Sequence, residues 1–363
     1  MLPISLPILI RHFKKLSGSL KLLLLLSLAG ILLLPADSHA ESEMLAAKSA
    51  RLTGERPNAE GPPTDVYLGL FIIDMDKVDD ANQLFSADMF LTVSWHDPRP
   101  ALPKRQRKGL IRTVPITDIW WPRGFILNER GIERKLPRTV EVDDLGNVMH
   151  QQRMIGSLSV DLNFNDFPFD EQILPISIVT YANSKEKVRF VHDEATTGST
   201  DRFSIEGWDL RLLEPVLNDY IMPGYSVARP EITFRVKADR VTRYYLLTLF
   251  LPMSLIILMA WSVFWVQPDV IPPRISIATA AIFSFVAFGF SIRARLPEVS
   301  YMTRADMFVT ACTLLVFLAL GVAVAGSRLA NSDRMDEALR LSAISRWLYM
   351  LLFIIAAWAS LAY

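Results

Sequence analysis

Cysteine is almost missing from this chain: Cys312 is the single thiol in 363 residues, so no intrachain disulfide can staple any part of it. Net charge is missing too, with 38 Lys and Arg against 38 Asp and Glu, which removes the basic footprint that nucleic-acid binding needs. His96, His150 and His192 fall in separate stretches without metal-ligand spacing. No nucleophile–base–orienter set and no phosphate-cradling glycine loop occurs. These gaps argue against an enzyme, a metal site, a cofactor and a nucleic-acid partner.

Hydrophobic residues make up 51% of the chain, too many for an ordinary soluble domain, and they are unevenly placed. Arg11, Lys14, Lys15 and Lys21 precede the leucine-rich run 22–34 and then Ser38-His39-Ala40, the pattern of a cleaved signal peptide over 1–40. The competing reading, an additional membrane helix, asks for about 20 apolar residues, which the run does not supply. Residues 41–64 are polar and contain Pro57, Pro62 and Pro63; they read as a flexible leader.

From 65 to 240 the chain is built of short alternating runs such as Val66 to Ile72 and Met89 to Trp95, punctuated by Asp, Asn, Gly and Pro. Period-2 alternation on this scale predicts an antiparallel β-sandwich with no substantial helix. From 241 to 363 the composition shifts, and four long apolar segments predict transmembrane helices at about 244–266, 275–292, 303–325 and 347–363. The expected fold class is therefore α+β: an exported sandwich followed by four membrane helices. Arg274, Arg328, Arg334, Arg340 and Arg346 fall on the side expected to be cytoplasmic, in line with the positive-inside tendency, although Arg293, Arg295 and Arg304 fall on the outer side.

On the second apolar segment, Ser276, Ala280, Phe283, Ala287 and Phe290 recur at spacings of four and three, which places them on one helical face. Such a stripe serves helix packing or, with several copies around an axis, the wall of an ion pore. Arg274 and Arg293 flank it, Pro272 and Pro273 precede it, and no carboxylate lies nearer Arg274 than Asp269. Rings of arginine suit anion pores, so these four residues are expected to set selectivity for a permeating inorganic anion. Phe283 and Phe290 are expected either to gate by dewetting or to pack between helices.

The motifs Phe167-Pro168-Phe169-Asp170, Trp120-x-Pro122, Leu251-Pro252, and Leu296-Pro297 followed by Tyr301-Met302 stand in an order and spacing that resembles the pentameric ligand-gated ion channels of the Cys-loop receptor superfamily, and their bacterial members most. The likeness runs from about Asp65 to Tyr363. Val160 and Leu174 stand where the family's paired cysteines would fall, so the loop keeps its place without its disulfide. Pro272-Pro273-Arg274 and Ser291-Ile292-Arg293 are similar to the pore ends of anion-selective members.

The resemblance implies a homopentamer in the inner (plasma) membrane, with the sandwich in the periplasm or extracellular space. Its partners would be four identical subunits, membrane lipid and a small-molecule agonist. Agonists bind between subunits in this family, which implies a ligand site of Tyr181, Tyr220, Tyr225 and Leu127 facing Phe90 and Gln152 of a neighbour. Each aromatic is equally compatible with a place in the sandwich core. Proton gating is a further expectation, with Asp79, Asp80 and the histidines as titrating groups. Coupling between the domains is expected at Asp80, Asp170, Arg240 and Pro297, the alternative being a static ion pair.

Overall fold

The computed structural model describes residues 54–293 and 299–361; the expected signal peptide, most of the leader and Pro297 lie outside the described residues. The chain divides into two compact units, and the larger, Glu60–Val114 with Pro122–Tyr363, holds both sheets and every apolar helix discussed below. The smaller includes Pro115–Trp121, a short turn in which Ile116, Ile119 and Trp120 are buried.

Among the described residues twelve strands run β1 (Thr64–Asp79), β2 (Leu84–His96), β3 (Arg112–Pro115), β4 (Gly124–Ile126), β5 (Glu133–Arg134), β6 (Thr139–Val142), β7 (Asn147–Ser159), β8 (Glu171–Thr180), β9 (Val188–His192), β10 (Gly198–Ser199), β11 (Trp208–Ile221) and β12 (Ala228–Arg240). The larger sheet has the order β10-β1-β2-β7-β6-β3, with β9 also on β1 and β5 on β7; the smaller has the order β11-β12-β8-β4. Only short 3₁₀ turns interrupt the strands among the described residues. One expectation changes: β9 and β10 lie parallel to β1, so the larger sheet is mixed. The chain reaches β9 from β8 in the other sheet, so no hairpin imposes antiparallel pairing there.

Alternation puts one row of each strand inward. Val66, Leu68, Leu70 and Ile72 of β1 and Phe85, Ala87 and Met89 of β2 are buried, as are Leu174, Ile176 and Ile178 of β8 and Ile232, Phe234, Val236 and Ala238 of β12. Each large side chain so buried contributes roughly 1.5–3 kcal/mol. Gly69 lets the Glu194–Thr196 turn lie on β1, since a Cβ there would sit 1.8 Å from Thr196 Oγ1.

Four helices follow: α1 (Arg243–Trp265), α2 (Ile271–Arg293), α3 (Arg304–Asn331) and α4 (Met335–Leu361), each long and apolar enough to cross a membrane. Within α1, Leu246–Phe250 is wound as a π-helix just before Pro252, whose ring and missing N–H oppose regular winding. Thr248 Oγ1 and Ser254 Oγ donate to the Tyr244 and Phe250 carbonyls at 2.7 Å each, which keeps backbone acceptors satisfied in an apolar setting. Three boundaries differ from the sequence expectation, one being the end of α3, which runs to Asn331 rather than 325. α2 starts at Ile271 and takes Pro272 and Pro273 into its first turn, where their fixed φ suits a helix and no N–H is needed. α4 starts at Met335 rather than near 347, because Ala338 and Ser342 are buried on its early turns, and the connection from α3 shrinks to Ser332–Arg334.

Candidate functional site

In α2 two stripes run in different directions. Ser276, Ala280, Phe283, Ala287 and Phe290 are all exposed on the single chain, with Phe283 at 70% and Phe290 at 73%. Arg274, Ala278, Ala281, Phe285 and Ile292 are buried. The exposed stripe carries hydroxyl, methyl and phenyl groups and is available for a shared axis; the buried one faces the chain's own helices. Pro272 and Pro273 are exposed at its N-terminal end and Arg293 at its C-terminal end.

Arg274 corrects an expectation. It is fully buried, its Nη2 donates to Ser342 Oγ of α4 at 2.9 Å, and its guanidinium lies on Gly326 of α3, where a Cβ would sit 3.1–3.3 Å from its atoms. A step of about 100° per residue puts position 274 some 200° from 276, so its side chain leaves on the side away from the stripe. Arg293, three residues beyond Phe290, stays near the exposed face.

At the junction between sandwich and helices the inward row of β12 ends on a charge. Positions 232, 234, 236 and 238 are apolar, and the next inward position is Arg240, whose side chain is 4% exposed. The inward row of β8 extends back through Gln172 to Asp170, 2% exposed. Arg240 Nε donates to Asp170 Oδ1 at 2.8 Å and its Nη1 to Asp80 Oδ2 at 2.8 Å. Trp208 lies 4.1 Å and Phe167 4.9 Å from the guanidinium carbon, adding cation–π attraction. Burial works to lower the Arg240 pKa, but the hydrogen bonds to Asp80 and Asp170 outweigh it and hold it above the ordinary value. Asp79, beside Asp80 at the hairpin tip, is pushed down to about 2 by hydrogen bonds from Lys77 and Asn82.

The Phe167-Pro168-Phe169-Asp170 loop also grips the start of α3. Phe164 N–H donates to Tyr301 Oη at 2.9 Å, Arg304 N–H to the Asn165 carbonyl at 3.2 Å, and Ala305 N–H to the Phe167 carbonyl at 3.1 Å. Arg304 pairs with Asp166 at 2.6 Å. Helix N-termini leave orphan N–H groups; here the loop takes two of them, and the Thr303–Asp306 capping box closes the turn.

The outer-domain aromatics divide. Tyr181, 47% exposed, leans on Phe125 with ring centroids 6.2 Å apart, and Arg229 donates to the Tyr181 carbonyl while lying 5.6 Å over the ring of Tyr225. Tyr225 and Leu127 are exposed and Tyr220 is half-buried. Phe90 is half-buried, paired across the sheet with Phe71 and Arg153, and Arg153 is fixed to Asp88 at 2.7 Å. Gln152 does not join it: β7 alternates, so Gln152 turns to the inner face, where it is 4% exposed and bonds the Leu136 N–H and carbonyl at 2.8 and 3.1 Å. Phe125, Arg153, Trp208 and Arg229 were not singled out from sequence, and Tyr301 only as part of a family motif. For Trp208 a signal exists only in the strand pairing, which sets it opposite Arg240.

Two family models match the chain. That of the neurotransmitter-gated ion-channel ligand binding domain covers residues 52–242, and that of the neurotransmitter-gated ion-channel transmembrane region covers residues 249–356.

Proposed function

Because the chain belongs to the neurotransmitter-gated, Cys-loop family of pentameric ligand-gated ion channels, a family of channels rather than enzymes, we propose that five copies, one chain with four identical neighbours, enclose an anion-selective pore along α2. The observation that carries this reading is the exposed stripe Ser276, Ala280, Phe283, Ala287 and Phe290. No carboxylate occurs anywhere in α2, and the exposed Arg293 lies at the outer end of the stripe. The selectivity assigned at first to both arginines rests on Arg293, since Arg274 is turned away. Phe283 and Phe290 form the apolar constrictions that close the pore by dewetting.

The stimulus in this proposal is a small molecule held between subunits by Tyr181, Tyr220, Tyr225 and Leu127 on one side and Phe90 on the other. Arg229 and Arg153 favour a ligand with a carboxylate or zwitterionic group over a bare ammonium. Asp80, Asp170 and Arg240 pass its binding on to α1, and Tyr301 and Arg304 pass it on to α3, with the sandwich on the outer side of the inner membrane. Bilayer recordings under a chloride gradient, with small carboxylates and amines and pH varied, test both parts. Reversal potentials are expected to track chloride; potentials that track Na⁺ or K⁺ overturn the anion reading.

A further inference from the structure

The inner end of the helix bundle contains a charge without a counter-charge. Arg274 is completely buried, and among the described residues its side chain makes one hydrogen bond, to Ser342 Oγ. Its Nε and Nη1, both buried, have no protein acceptor, and neither does the buried hydroxyl of Ser327, next along α3 from Gly326. One helical turn further into the bundle, Val263, Ala278 and Ala323 form a buried apolar layer against which Ile277 and Leu320 pack. That layer seals the guanidinium from the outer half of the bundle. A buried cation costs several kcal/mol unless an opposite charge and further hydrogen bonds compensate it. The absence of a side chain at Gly326 lets the guanidinium lie flat on α3, leaving its Nη1 end to a ligand.

We propose that this is a resident site for a small inorganic anion, of the halide class, held inside each subunit between α2, α3 and α4 by the Nη1 end of the Arg274 guanidinium and the Ser327 hydroxyl. A monatomic anion accepts from converging N–H and O–H donors without needing any donor of its own. The site is set behind the pore wall and does not depend on which ion the pore conducts.

The test uses the full-length channel prepared in sodium bromide. An anomalous difference peak is expected within hydrogen-bonding distance of Arg274 in every subunit. At constant ionic strength the melting temperature in chloride or bromide is expected to exceed that in gluconate by about 2–4 °C. Arg274→Gln should abolish both. Ser327→Ala should weaken both while preserving assembly, and so should Gly326→Ala, which displaces the guanidinium without removing its charge. A peak that refines as ordered water, or a melting temperature indifferent to the anion in wild type, overturns the proposal. A channel that conducts cations yet keeps the bromide peak overturns only the pore reading.

Discussion

Replacing Arg240 by alanine removes the cation that bridges two carboxylates of very unequal exposure, 2% for the Asp170 side chain and 26% for that of Asp80. Asp80 can rehydrate. Asp170 cannot, and it keeps only the Gln172 Nε2 donor at 2.6 Å against the desolvation of a full charge. Breaking a buried pair in this one-sided way costs about 3–5 kcal/mol, to which loss of the cation–π contact with Trp208 adds about 2 kcal/mol when desolvated. At roughly 2–4 °C per kcal/mol, the melting temperature is expected to fall by about 10 °C. The assay is thermal unfolding of the solubilised pentamer, followed by tryptophan fluorescence, together with ligand-evoked flux in liposomes. Arg240→Met combined with Asp170→Leu removes the charges together and should recover most of the stability. If the cluster also carries the signal, the double variant assembles but does not respond. An alanine variant that melts within about 2 °C of wild type refutes the burial argument, and a double variant that opens normally refutes the coupling role.

Arg293→Glu should invert the charge at the outer mouth. Five unit charges about 8 Å from an axis give about 2.6 kcal/mol in water and about 1 kcal/mol after screening, so the chloride preference should fall more than tenfold, read from reversal potentials; an unchanged ratio removes Arg293 from the lumen. Phe283→Ser and Phe290→Ser should wet the constriction and produce current without stimulus, whereas silent variants would leave these rings as packing. At the end of the sandwich away from the helices, burial pushes the Asp144 carboxyl up, but the N–H groups of Lys108, Leu110 and Gly109 outweigh it and hold its pKa below 3.8. A depressed carboxyl stabilises the fold above its ordinary value and loses that contribution as pH falls through the folded one. Asp144→Asn should therefore melt below wild type at pH 6, with the gap closing as pH drops below about 4; a gap that persists at pH 2 refutes the assignment.

What was legible beforehand were features with a local cause. Length and hydropathy mark the four helices, and alternation marks the long strands of both sheets. The helical spacing from Ser276 to Phe290 marks a face, and the structure leaves that face exposed. The same arithmetic places Arg274 off the stripe, so its orientation was within reach of the sequence, although its partners were not. The neighbours Gln152 and Arg153 show the matching limit for strands: alternation says they point oppositely, but not which of them shares a face with Phe90.

By itself, then, the sequence determined the elements, the apolar stripe of α2 and the absence of any carboxylate along it, because helical and strand periods depend on neighbours a few residues apart. The family resemblance already grouped Arg240 with Asp80 and Asp170, and the tertiary structure supplied the bonds that join them; only the tertiary structure decided that Arg274 lies on Gly326 beside Ser342. It also decided that the Phe164–Phe167 loop holds the start of α3. Those contacts join residues far apart in the chain. What creates them is the need of a buried charge or an orphan backbone group for a partner, and the fold alone determines which partner is near.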